Sequence, residues 1–134
     1  MITEFIKRFD KKRNEIRRVF AAGQIKDYQT LIHTVIKAIS EDEKDHATPD
    51  PERIHCVDDG DYQGTLVFVI AEKGYQPSDF WYVKVSYGSC SGCDTLQAIN
   101  EYMDGPPDEK QIADYMTLAL HVVQGLKKMG DENV

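Results

Sequence analysis

Trp81-Tyr-Val-Lys-Val-Ser-Tyr-Gly-Ser-Cys-Ser-Gly-Cys-Asp-Thr-Leu-Gln-Ala-Ile99 carries a period-two run to Tyr87, a bend of small residues, and a helical opening after Cys93. Within the run Trp81, Val83, Val85 and Tyr87 share one face, and Phe80, Tyr82, Lys84 and Ser86 share the other. Gly88, Ser89, Ser91 and Gly92 supply turn chemistry. Asp94-Thr-Leu-Gln97 has the form of a capping box with Asp94 as cap, opening a helix from about Asp94 to Tyr102. A strand that hands over to a helix through such a turn belongs in an α+β domain.

Two further strands are expected at Arg53 to Val57 and Thr65 to Ala71, and the third spans Phe80 to Tyr87. The turns Asp58-Asp-Gly-Asp61 and Lys73-Gly-Tyr-Gln-Pro-Ser78 are short enough for a three-stranded antiparallel meander. On the middle strand Leu66, Phe68 and Ile70 face one way while Val67 and Val69 face the other, so both surfaces ask for cover. Either helices sandwich the sheet, or one face meets another copy of the chain.

Before the strands, Ile2, Phe5, Ile6, Phe9, Ile16, Val19 and Phe20 recur at helical spacing over residues 2–21, and Gly23 ends that helix. Ile25, Tyr28, Leu31, Ile32, Val35, Ile36 and Ile39 give a second stripe from Ile25 to Ser40, so the two helices form a hairpin. Residues 41–52 are polar and carry two prolines, which reads as an exposed connection. After Asp104-Gly-Pro-Pro107 a last helix carries Asp108 and Glu109 in its first turn and Lys127 and Lys128 in its last, matching the helix dipole. Its buried stripe is Ile112, Tyr115, Met116, Ala119, Val122, Val123 and Leu126. The expectation is one domain over residues 1–128 in the order ααβββαα, with a helical hairpin (1–40), the linker (41–52), a sheet with two C-terminal helices (53–128), and a flexible tail (129–134).

Charge divides unevenly: residues 1–39 hold nine Lys/Arg against four Asp/Glu, and the remainder seven against nineteen, for a net −7. That describes an acidic body with a basic first helix. The N-terminal segment lacks a secretory apolar core and no run is long enough for a membrane span, so a soluble intracellular protein with no membrane partner is expected. Three cysteines without an export signal argue for reduced thiols rather than a disulfide framework.

Cys90 and Cys93, at a strand-to-helix turn, have the spacing to chelate zinc or to act as a redox dithiol. Cys56 and His55 are the candidate additional zinc ligands, although adjacent strand residues point to opposite faces, so one of them at most joins such a site. The plainer reading is a structural turn with packed thiols and no cofactor. No Walker lysine, phosphatase arginine, zinc-deaminase signature or Ser/His/Asp order accompanies the turn, so no catalytic residue is assigned and the balance tilts away from an enzyme. Asp58, Asp59 and Asp61 read as hairpin-turn residues rather than a calcium loop. Two candidate binding surfaces remain: the basic side of the first helix, with Lys7, Arg8, Lys11, Lys12 and Arg18, and the sheet face bearing Phe80 and Tyr82, which would suit a homodimer. The negative net charge weighs against direct nucleic-acid binding.

The run Tyr82 to Ile99, with Asp61-Tyr-Gln-Gly-Thr65 before it and Tyr115-Met-Thr-Leu-Ala-Leu-His121 after, resembles short uncharacterised proteins of tailed bacteriophages and prophages over about residues 53–126. The resemblance carries no catalytic or binding residues. It implies a viral accessory protein made in the host cytoplasm. The favoured expectation is a protein without catalysis whose acidic surface and sheet face bind a host or phage protein, in host machinery or host defence. The alternative is a small zinc or thiol protein that uses Cys90 and Cys93.

Overall fold

The computed structural model describes residues 2–40, 48–60, 64–74, 79–88, 95–100 and 105–129. Helices α1 (Ile2–Lys11), α2 (Arg13–Ala21) and α3 (Tyr28–Ser40) precede strands β1 (Pro49–Gly60), β2 (Gly64–Glu72) and β3 (Phe80–Tyr87). Helices α4 (Thr95–Asn100) and α5 (Glu109–Gly125) and a two-residue strand, β4 (Lys127–Lys128), follow. The α+β class holds, with three helices ahead of the strands instead of two and a fourth strand after the last helix.

All four strands pair antiparallel in the order β1-β2-β3-β4. Register aligns Ile54, Ile70 and Trp81 in one row and Cys56, Phe68 and Val83 in the next. These side chains face the helices, where Phe68, Ile70, Trp81 and Val83 are buried and Ile54, Cys56, Leu66 and Val85 pack around them. Trp81 meets Phe5 of α1 edge to face at 6.2 Å between centroids, which locks the first helix onto the third strand. The helices form one layer on this side. Of the two covers the sequence leaves open, the helical sandwich is not formed by the described residues, whose helices cover a single face of the sheet.

The long first helix divides at Lys12. Its N–H is shared between the carbonyls of Arg8 and Phe9, both at 3.1 Å, a local tightening that separates the two helices. Phe5 and Phe9 of α1 and Ile16 and Phe20 of α2 are buried, while Val19 is exposed instead of joining the stripe. Helix α3 begins at Tyr28 rather than Ile25, because the Asp27 carboxylate accepts from the Thr30 N–H at 2.7 Å and fixes the start. Its stripe from Tyr28 to Ile39 is buried as the period requires. At its other end the Lys73 ammonium donates to the Ser40 carbonyl at 2.6 Å and Arg8 to that of Ile39 at 3.4 Å, placing cations where the dipole is negative.

Residues 49–52 are the start of β1 instead of linker, and Thr48 and Pro49 are buried. Prolines fit here because β1 is an edge strand and its register slips between Pro49 and Ile54. The other end of β1 also runs on: Asp58, Asp59 and Gly60 pair with Leu66, Thr65 and Gly64, so these aspartates are strand residues and not the hairpin turn. The Tyr87 hydroxyl donates to Asp58 at 2.5 Å. Asp94, Cys90, Cys93, Asp61 and residues 41–47 lie outside the described residues. Gln97 donates to the Gly88 carbonyl at 2.8 Å and the Tyr28 hydroxyl accepts from the Leu96 N–H at 3.0 Å, tying α4 to β3 and α3.

In α5, Asp108 caps the helix by accepting from the Gln111 N–H at 2.7 Å, and the stripe from Ile112 to Val123 is buried. The helix stops at Gly125. Leu126 turns extended and is 1% exposed, and the next residues pair with β3 instead of forming a last helical turn. Met129 continues the pairing by donating to the Phe80 carbonyl at 2.8 Å. Inside the helical layer the Tyr115 hydroxyl is a hub: it accepts from the Ile25 N–H at 3.1 Å and from the Gln111 amide at 3.2 Å, and it donates to Asn100. Asn100 in turn donates to the Ile25 carbonyl at 2.8 Å, which fixes the α2–α3 connection against α4 and α5.

Candidate functional site

Strand alternation that points even residues of β1 and odd residues of β3 into the core sends their neighbours to the opposite face. Register places Val57, Val67 and Lys84 in one row there, and His55, Val69, Tyr82 and Lys127 in the next. Ala71 and Phe80 form a third row, extended by Met129 through its bond to Phe80 and flanked on β1 by Arg53. No described helix covers this side. Val57, Phe80 and Met129 are 47%, 38% and 43% exposed, and Val67, Val69 and Tyr82 are half-buried by one another. A contiguous apolar face of this kind on a chain rich in charge marks a place where another molecule can lie.

Phe80 and Tyr82, expected on such a face, are on it. The rest of the face shows in the sequence only through the alternation of Val67, Val69 and Lys84. Lys127 and Met129 had no sequence signal, because they reach the sheet only through β4. His55, considered as a zinc ligand, is exposed on this face, while Cys56 turns into the helix-covered side. The two therefore do not converge on one site. Burial first, and the nearby Asp58 carboxylate second, push the Cys56 thiol above its ordinary range, the opposite of an activated nucleophile. By strand geometry the Cα of Cys56 stands about 19 Å from Gly88, five residues along the strands and two strands across. Cys90 and Cys93 themselves fall outside the described residues. Among the described residues no three His, Cys, Asp or Glu side chains gather in a way that would hold a metal ion.

The basic helical side is less uniform than its spacing suggests. Arg8 pairs with Glu4 at 3.1 Å, stacks 5.7 Å over the Phe5 ring and caps α3, and Lys12 lies partly covered beside Glu15 at 3.7 Å. Those two serve the fold. Lys7, Lys11 and Arg18 are exposed and make no ion pair among the described residues. A cleft of about 350 Å³ between α2 and α3 is lined by Glu15, His33, Thr34 and Lys37, and the Thr34 hydroxyl donates to the Thr30 carbonyl at 2.9 Å. Among the described residues no helix is long and apolar enough to cross a membrane. Neither a protein-family model nor a curated protein nor a solved structure matches this chain.

Proposed function

We propose that the protein acts by binding a macromolecular partner on the open face of its sheet, without catalysis, as a small accessory protein of a bacteriophage or prophage would. The observation that carries this reading is the one-sided architecture: a single helical layer covers one face, and Val57, Val67, Val69, Phe80, Tyr82 and Met129 line the other. Leaving such a surface in water has no structural benefit, and covering it with a partner is favourable by roughly 25 cal/mol for each Å² of apolar area removed from water.

The test is affinity capture from a bacterial host lysate with the wild type and the Val67→Lys and Val69→Lys variants side by side. A stoichiometric partner held by the wild type and lost from both variants, whose melting temperatures stay near wild type, supports the proposal. Identical recovery by all three proteins, or turnover of a small molecule that survives both substitutions, counts decisively against it.

A further inference from the structure

The arrangement of charge on the open face says what kind of partner it fits, and this inference rests on the reading above. Laid out by register, the apolar side chains do not fill the face evenly. They run as a diagonal band from Val57 on β1 through Val67, Val69 and Tyr82 to Phe80 and Met129 at the opposite edge. Lys84 and Lys127 occupy the corner on one side of the band, and Arg53 and His55 the corner on the other. All four are exposed. Lys84, Lys127 and His55 make no ion pair among the described residues, whereas Arg53 leans on Asp50 at 3.4 Å. A chain of net charge −7 thus sets its apolar strip between two lysines on one side and, on the other, His55 and an Arg53 already paired with Asp50.

Four residues along the strands and three strand spacings across, the band is about 20 Å long. That is the length of about 13 helical residues. We infer that the open face binds an amphipathic helix whose apolar stripe lies along the Val57–Met129 diagonal and whose flanks carry Asp and Glu against Lys84 and Lys127 on one side and Arg53 and His55 on the other. A second copy of the chain is disfavoured as occupant, because two such faces would bring their fixed cations together. Single-stranded nucleic acid fits less well: aliphatic valines, which offer no ring for a base to stack on, make up half of the band, and the body as a whole repels polyanions.

The test uses synthetic helices of about 14 residues with one leucine stripe. One is flanked by glutamates and the other by lysines, and an oligodeoxythymidine of similar length is the nucleic-acid probe. Binding is read by fluorescence anisotropy at low salt, and the site by amide shifts in the protein. The glutamate-flanked helix should bind wild type roughly tenfold or more tighter than the lysine-flanked one, with shifts at Val67, Val69 and Tyr82. Lys84→Glu with Lys127→Glu should invert that preference. Lys7→Glu with Lys11→Glu, the same change in net charge on the helical side, should leave it intact. Equal binding of both helices, tighter binding of the oligonucleotide, or a dimer that Val69→Lys dissolves would each overturn the inference while leaving the open face as the working surface. No shift at the sheet residues with any probe would overturn this inference and the proposed function together.

Discussion

Replacing Tyr115 by Phe removes one oxygen from the centre of the helical layer and leaves the ring where it is, 5.4 Å from Phe20. The cost follows from who loses a partner. The Gln111 NH2 still reaches the Asn100 side chain at 3.1 Å and the Ile99 carbonyl at 3.5 Å, so that NH2 and the Asn100 oxygen each keep a partner. Ile25 is different. Its N–H points at the Tyr115 hydroxyl, and the residue is 5% exposed, so water does not replace the lost acceptor. One buried unsatisfied donor costs about 1–3 kcal/mol, so a loss of about 2 kcal/mol is expected. For a chain of 134 residues that corresponds to a melting temperature lower by about 7 °C. Urea titration and calorimetry measure both quantities, and an unchanged slope with denaturant shows that the native and unfolded states are otherwise comparable. A variant within about 0.5 kcal/mol of wild type would refute the hub, since surface substitutions with no structural role produce changes of that size.

Three further outcomes are expected. Burial raises the Tyr115 phenol above its ordinary value, so above about pH 10 the unfolded chain releases this proton first, and the stability advantage of wild type over Tyr115→Phe, full below that pH, should shrink as the pH rises; parallel melting curves for the two proteins up to strongly alkaline pH would contradict it. Cys56 should react with iodoacetamide more slowly than a free thiol at neutral pH, and Asp58→Asn should speed it, as read by mass spectrometry of the Cys56 peptide; a rate equal to that of glutathione would show the thiol to be exposed. Leu126→Ala should cost about 2–5 kcal/mol and also raise amide exchange at Met129, because this buried side chain seats the turn that delivers β4 to the sheet; protection at Met129 that outlasts the substitution would detach β4 from Leu126.

How much of this was legible in the sequence depends on whether one signal or two act on a segment. In α3 and α5 the apolar period and the burial agree, so every residue of the Tyr28–Ile39 and Ile112–Val123 stripes lies where spacing puts it. The break at Lys12 is invisible because Phe9 and Ile16 are one heptad apart and read as a single stripe across it. Pro49 and Pro51 read as loop, and only an edge position with a slipped register lets them stand in a strand. Lys127 and Lys128 match the basic end of a helix in sequence, but a local dipole preference worth about a few tenths of a kcal/mol gives way to burying Leu126. On the candidate site, Phe80 and Tyr82 were visible from alternation, but the basic margins were not. They depend on which residues of β1 and β4 fall beside which residues of β2 and β3, and register is a property of pairing, not of any one segment.

The same alternation separates what holds the fold from what is available for function, and this makes the two independently testable. Phe68 faces the helices at 1% exposure, and Val67, its neighbour in β2, faces the open side. Phe68→Ala should therefore cost about 3–5 kcal/mol whatever the protein binds. Val67→Lys should cost about 1 kcal/mol or less, because its aliphatic stem can lie along the face with the ammonium in water, yet it sets a cation in the middle of the diagonal band. Under the binding reading the second substitution abolishes partner capture in a folded protein and the first does so only by unfolding it. Should Val67→Lys prove as destabilising as Phe68→Ala, the open face would be part of the core of some larger assembly, and the one-sided sheet would not be the unit that folds alone.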